Sequence, residues 1–205
     1  MTFNAIVFTL SFFVFAANAQ VATRPAKVGD VHVYSVEQRT ERMTVEETVT
    51  VIGVDADRIH TSHVRTNAQS PTKGLYGKDW SVYTSGSNGL EMSPPSQVLA
   101  FPLDVGKEWE NSYDGTTSAG ARLRIKMNSK ISAKEKVVTP AGEFEAYRID
   151  SRGFLNGVSF PGGWGILQKV WYAPSIDRVV RIEFKEQRTL GAENVTELKA
   201  FKPAD

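Results

Sequence analysis

The chain has 205 residues, of which 41% are hydrophobic and 23% charged, and it contains no cysteine. Enough apolar mass for a core excludes low-complexity disorder. The missing cysteines exclude disulfides, thiolate catalysis and Cys-ligated metals. With 24 basic residues against 23 acidic ones and a net charge of +1, the basic footprint of a nucleic-acid binder is absent.

Residues 1–19 carry no charged side chain, are mostly apolar from Phe3 to Ala17, and end in Ala17-Asn18-Ala19. This is the pattern of a secretory signal peptide, with cleavage expected between Ala19 and Gln20. The apolar run is shorter than the roughly 20 residues a membrane helix needs. The expectation is export to a bacterial periplasm, a single β domain over 20–205, and no membrane span after cleavage.

From there the periodicity is two. Val28-Gly29-Asp30-Val31-His32-Val33-Tyr34 opens the domain, and Val45, Val49 and Val51 fall in register between Thr44 and Val54. Asp55-Ala56-Asp57-Arg58 reads as a turn. His60 and His63, three apart, point to opposite faces of a strand and so do not share a metal. Trp80-Ser81-Val82-Tyr83 precedes the hairpin signal Ser87-Asn88-Gly89, and Ser93-Pro94-Pro95-Ser96 is the one hinge-like stretch. Val105-Gly106 echoes Val28-Gly29, which divides the chain into two related halves near 26–99 and 100–203 or merely repeats one way into a strand.

Residues 122–131 alternate best, with Leu123, Ile125, Met127 and Ile131 against Arg122, Arg124, Lys126, Asn128 and Lys130, a half-buried antiparallel strand. Pro140-Ala141-Gly142 is a tight turn. Ile166 to Tyr172 and Val179 to Glu186 are strands separated by a turn at Ala173–Asp177, and Thr196 to Lys202 closes the chain. No stretch of twelve residues carries a 3.6 period. The class is all-β with little helix, roughly ten or eleven strands.

Three blocks, Phe101-Pro102-Leu103-Asp104-Val105-Gly106-Lys107-Glu108-Trp109, Val138-Thr139-Pro140-Ala141-Gly142-Glu143-Phe144 and Trp171-Tyr172-Ala173-Pro174 with Val179-Val180, resemble those of a group of exported bacterial proteins of unknown function. Some of that group are similar to the lipoprotein-carrier half-barrels. The resemblance covers roughly residues 100–186. It implies a curved antiparallel sheet, as a half-barrel or open barrel, around an apolar concavity, and it carries over no catalytic residue. Ser175-Ile176-Asp177 stands where the group often has a Gly-containing turn.

Ser85-Gly86-Ser87-Asn88-Gly89 lacks the first glycine of a nucleophile elbow and is followed by no helical pattern. The spaced pairs Glu108/Glu110 and Glu143/Glu145, and the basic row Arg122, Arg124, Lys126, Lys130, read as the wet faces of strands. Glycines 157, 162, 163 and 165 surround Phe160 and Trp164 in a loop and precede no helix that would cradle a phosphate. The expectation is therefore no enzyme, no catalytic residue, no metal and no cofactor. The leading reading is an exported carrier for a lipid or other apolar ligand, with Trp80, Tyr83, Phe160 and Trp164 at its site. Segments 68–100 and 151–166 would cover the opening. The alternative is a protein-interaction or envelope-assembly module that binds an envelope protein.

Overall fold

The computed structural model describes residues 24–205, so the expected signal peptide and its cleavage point lie outside the described residues. Twelve strands follow in order: β1 (Val31–Gln38), β2 (Met43–Val54), β3 (Arg58–Arg65), β4 (Thr72–Gly77), β5 (Val82–Thr84), β6 (Glu91–Ser96), β7 (Glu108–Thr116), β8 (Arg122–Thr139), β9 (Gly142–Gly157), β10 (Gly163–Ala173), β11 (Arg178–Gln187) and β12 (Glu193–Lys202). The only helix among the described residues is the 3-10 turn Pro174–Ile176, and no helix there is long and apolar enough to cross a membrane.

Each strand pairs antiparallel with the next, and β12 returns to β1, closing an up-and-down barrel. The all-β class and the curved antiparallel sheet are as read from sequence; closure is what the structure adds. It comes from the β1–β12 ladder, in which Val31 to Gln38 face Lys202 to Asn194. Joining the first and last strands removes both edges, each of which would otherwise expose a row of unpaired backbone groups.

The strand count rises because segment 68–100 is wall and not cover. It folds as the short strands β4 to β6. Residues 151–157 and 163–166 likewise belong to β9 and β10. The hinge-like Ser93-Pro94-Pro95-Ser96 lies within β6. There the ladder to β7 stops at Ser93, since neither proline has an N–H to donate.

Alternation in β8 is as expected, with Leu123, Ile125, Met127, Ser129 and Ile131 buried and the charged residues between them exposed. Gly29 and Gly106, at φ +95° and +96°, open the two six-strand runs in the same way. Gly29 N–H donates to the Val51 carbonyl and Val51 N–H to that of Asp30. Gly106 N–H donates to Ile131 and Ile131 N–H to Lys107, all at 2.8–2.9 Å. A left-handed backbone at both points requires glycine.

Three apolar clusters pack the barrel. Tyr113, Leu123, Ile125, Met127, Leu155 and Ile166 form one. Val51, Ile59, Trp80, Leu99, Ile131, Ile149, Val170 and Tyr172 form the second. The third joins the β8–β9 hairpin to the barrel seam, where Val137 and Ala146 meet Trp171, Ala173, Val180 and Leu198. The β11–β12 ladder ends at Arg181–Glu197. Just beyond it, Ala141 N–H in the β8–β9 turn donates to the Leu198 carbonyl, so the hairpin tip takes over a bond that the split strands leave open.

Candidate functional site

Because strands alternate in direction, the start of β1, the end of β12 and the turns β4–β5, β8–β9 and β10–β11 lie at one end of the barrel, here called the terminal end. At that end, Asp177 follows the 3-10 turn in a left-handed conformation, φ 50° and ψ 45°. Its Oδ1 accepts Trp80 Nε1–H at 2.9 Å and the Tyr172 hydroxyl at 2.5 Å. Burial raises the Asp177 pKa, against the stabilising bonds from Tyr172 and Trp80. Burial and the carboxylate partner together push the Tyr172 phenol up. Trp80 itself sits at φ 60° in the β4–β5 turn. The Arg178 guanidinium stacks on its indole, 4.1 Å from the ring, a favourable cation–π arrangement. Together these four side chains close the terminal end.

On the wall made by β2, β3 and β4, Glu47 and His63 are both buried. Glu47 Oε1 lies 2.7 Å from His63 Nδ1, and Arg65 donates to Oε2 at 3.0 Å. His63 Nε2 lies 2.9 Å from the Thr61 hydroxyl. Burial works against the charge on Glu47, yet His63 and Arg65 hold its carboxyl below the usual range. The ring fits only because residue 86 is glycine: a Cβ there would stand 2.0 Å from His63 Nε2. An acid, a histidine and a hydroxyl in line share the arrangement of a hydrolase triad. Thr61, however, has no exposed surface and is not on the wall of the cavity beside it. The trio holds its own buried polar groups and presents no nucleophile.

That cavity, of about 330 Å³, occupies the lumen between the terminal plug and the opposite end. Its apolar walls come from Val49, Val98, Leu99, Tyr113, Val170 and Ile182. Glu47, His63, Arg65, Ser85, Ser87 and Arg178 supply polar groups. The volume is at the low end for small-molecule sites, which combine such apolar walls with a few placed polar groups.

Of the four residues expected at a ligand site, Trp80 lines this cavity. Tyr83 follows the cavity-lining Val82, so strand alternation turns it to the opposite face, where Arg58 covers its ring at 3.9 Å. Phe160 and Trp164 stack on each other with centroids 6.3 Å apart, under Arg188, at the β9–β10 turn. They pack against the cluster at the opposite end and do not reach the cavity wall.

Glu47 and Arg178 escaped the sequence reading, and His63 entered it only as half of a metal pair, yet the two charges left a signal. Glu47 is in phase with Val45, Val49 and Val51, and Arg178 is in phase with Val180 and Ile182, so each is a charge on an apolar face. His60 and His63 do point to opposite sides, with His60 exposed beside Asp55 at 3.0 Å. The spaced glutamates and the basic row meet across strands as Lys130–Glu108, Lys126–Glu110, Arg124–Asp114 and Lys136–Glu143 pairs. A broader groove of about 830 Å³ crosses β7 to β12 and is lined by such residues, Glu108, Lys130, Asp150, Lys169 and Glu183 among them. Its charges face one another.

No protein-family model matches the chain, and no curated protein matches it in sequence. Two solved structures share its fold. One is provisionally named a lipoprotein, from Parabacteroides distasonis: TM-score 0.57, 14% identity, 87% of this chain and 97% of that one covered. The other is provisionally named an exported protein with YmcC-like fold, from Bacteroides fragilis: TM-score 0.61, 13% identity, 89% and 99% covered. At such identities the likeness is one of fold, and the fold this chain adopts is that of these barrels.

Proposed function

We propose that the protein is an exported, non-enzymatic carrier that holds a small amphiphilic ligand inside the barrel, in the bacterial envelope. The observation that carries this is the lumen cavity: apolar side chains from both halves of the sheet line it, and charged groups sit on its wall at fixed points. Small barrels either fill their lumen with side chains or keep room for one small ligand, and this barrel keeps room. The uncharged apolar start of the chain and the names of the two similar structures support the envelope assignment. The buried, self-satisfied Glu47–His63–Thr61 trio supports the non-enzymatic part.

Native mass spectrometry of the purified protein, before and after organic extraction, tests the reading. A discrete extractable mass of a few hundred daltons is expected. Protein that is folded, free of extractable mass and unable to take up any acyl probe would refute it and put the envelope-assembly module ahead. The groove across β7 to β12 would then be the face to probe by pull-down from envelope extracts.

A further inference from the structure

The carrier reading leaves the ligand's head open, and one side chain addresses it. Arg178 is 7% exposed and lines the cavity. A buried guanidinium is normally paired with a carboxylate, because an isolated charge in a low-dielectric interior is costly. Among the described residues no carboxylate lies within ion-pair distance of Arg178, whereas Arg181 pairs with both Glu183 and Glu197, and Arg65 pairs with Glu47. Residues 1–23 contain neither Asp nor Glu, so the rest of the chain supplies none either. Asp177, adjacent in sequence, spends its Oδ1 on Trp80 and Tyr172. Glu47, on the facing wall, is bound by His63 and Arg65. One face of the Arg178 guanidinium rests on Trp80, which fixes its plane. Its edge has the Tyr34 hydroxyl and, beyond ion-pair distance, the Asp177 carboxylate as neighbours, and among the described residues no carboxylate takes its remaining N–H groups.

We infer that Arg178 is the receptor for a monoanionic headgroup, so that the ligand is a carboxylate-headed amphiphile bound head inward, against the terminal plug, with its chain along Val98, Leu99, Val170 and Ile182. This rests on the carrier reading and narrows it. A guanidinium edge matches a carboxylate with two parallel hydrogen bonds. The paired Glu47–Arg65 charges cancel locally and do not repel such a head. The cavity volume of about 330 Å³ suits a single short chain and not a two-chain lipid.

The test compares decanoic acid with its methyl ester by isothermal titration calorimetry, two probes that fit the cavity, alike in chain and different in charge, on delipidated protein. The acid is expected to bind the wild type at least about tenfold more tightly than the ester, as a hydrogen-bonded charge requires. Arg178→Gln should abolish that preference while leaving ester affinity within about threefold. Arg178→Lys should retain part of it, and it keeps the assay informative if the Gln variant fails to fold. Equal binding of acid and ester to the wild type, or a preference that survives in folded Arg178→Gln, would overturn the role of Arg178 and leave the carrier reading standing. Binding of neither probe would overturn both.

Discussion

His32 offers a sharp test of how the terminal end is built. It is 2% exposed, stacks on Phe201 with ring centroids 4.6 Å apart, and neither ring nitrogen has a hydrogen-bond partner among the described residues. Burial, with Arg178 and Arg24 adding repulsion against a weaker pull from Asp30, lowers its pKa to about 3 from an ordinary 6.5. A histidine with a lowered folded pKa stays neutral in the barrel while the unfolded chain takes up a proton. Stability is therefore unaffected above about pH 6.5 and falls as pH drops from there toward 3. At pH 5 the unfolded state has gained the proton by about 1.5 pH units of driving force and the folded state has not. At about 1.36 kcal/mol per unit this costs about 2 kcal/mol relative to pH 7.5. For a domain of this size that is a fall of about 4–8 °C in melting temperature. His32→Phe keeps a planar ring on Phe201 and removes the titrating group. Melting curves at pH 7.5 and pH 5 should show the wild type losing that increment and the variant lacking it, with the other histidines cancelling in the comparison. Equal losses in both proteins would refute the buried-neutral assignment.

Asp30, 2% exposed, should behave oppositely in pH. Burial raises its pKa, but the two-pronged Arg24 pair and the N–H groups of Ala204 and Lys27 outweigh this and bring it to about 2 from 3.8. Its stabilisation is present above pH 3.8 and lost toward pH 2, so Asp30→Asn should cost about 2 kcal/mol at neutral pH by urea unfolding, and the gap should narrow in acid. Ile125→Asp should cost about 4 kcal/mol or more by burying an unpaired charge, while Lys126→Asp, on the wet face beside Glu110, should stay within about 1 kcal/mol; comparable losses in thermal melts would reverse the face assignment. Gly86→Ala should destabilise by about 1–3 kcal/mol, because its Cβ would overlap the His63 ring, and a neutral result in the same melts would show that the ring can move.

Alternation is a local property, which is why Leu123, Ile125 and Met127 against Arg122, Arg124 and Lys126 already placed β8 and the all-β class. Turn chemistry is equally local: Ser87-Asn88-Gly89 and Pro140-Ala141-Gly142 stand where β5 meets β6 and β8 meets β9. Short strands were the difficulty. β5 has three residues, too few for a period of two to emerge, and the prolines of β6 disguise it as a hinge. Aromatic composition pointed to Trp80, Tyr83, Phe160 and Trp164 as one site, but side-chain type says nothing about which face a residue takes. Strand phase sends Tyr83 outward, and strand direction sends Phe160 and Trp164 to the far end.

The sequence by itself determined the all-β class, the longer strands, and their wet and dry faces. Only the tertiary structure decided that β1 meets β12 and closes the sheet, that Glu47 finds His63 and Arg65 across the β2–β3 ladder, and that Arg178 finds Trp80 but no carboxylate. Periodicity is fixed by the geometry of a single strand, whereas the neighbour of a buried charge is set by packing between segments as far as 174 residues apart, which no local pattern encodes.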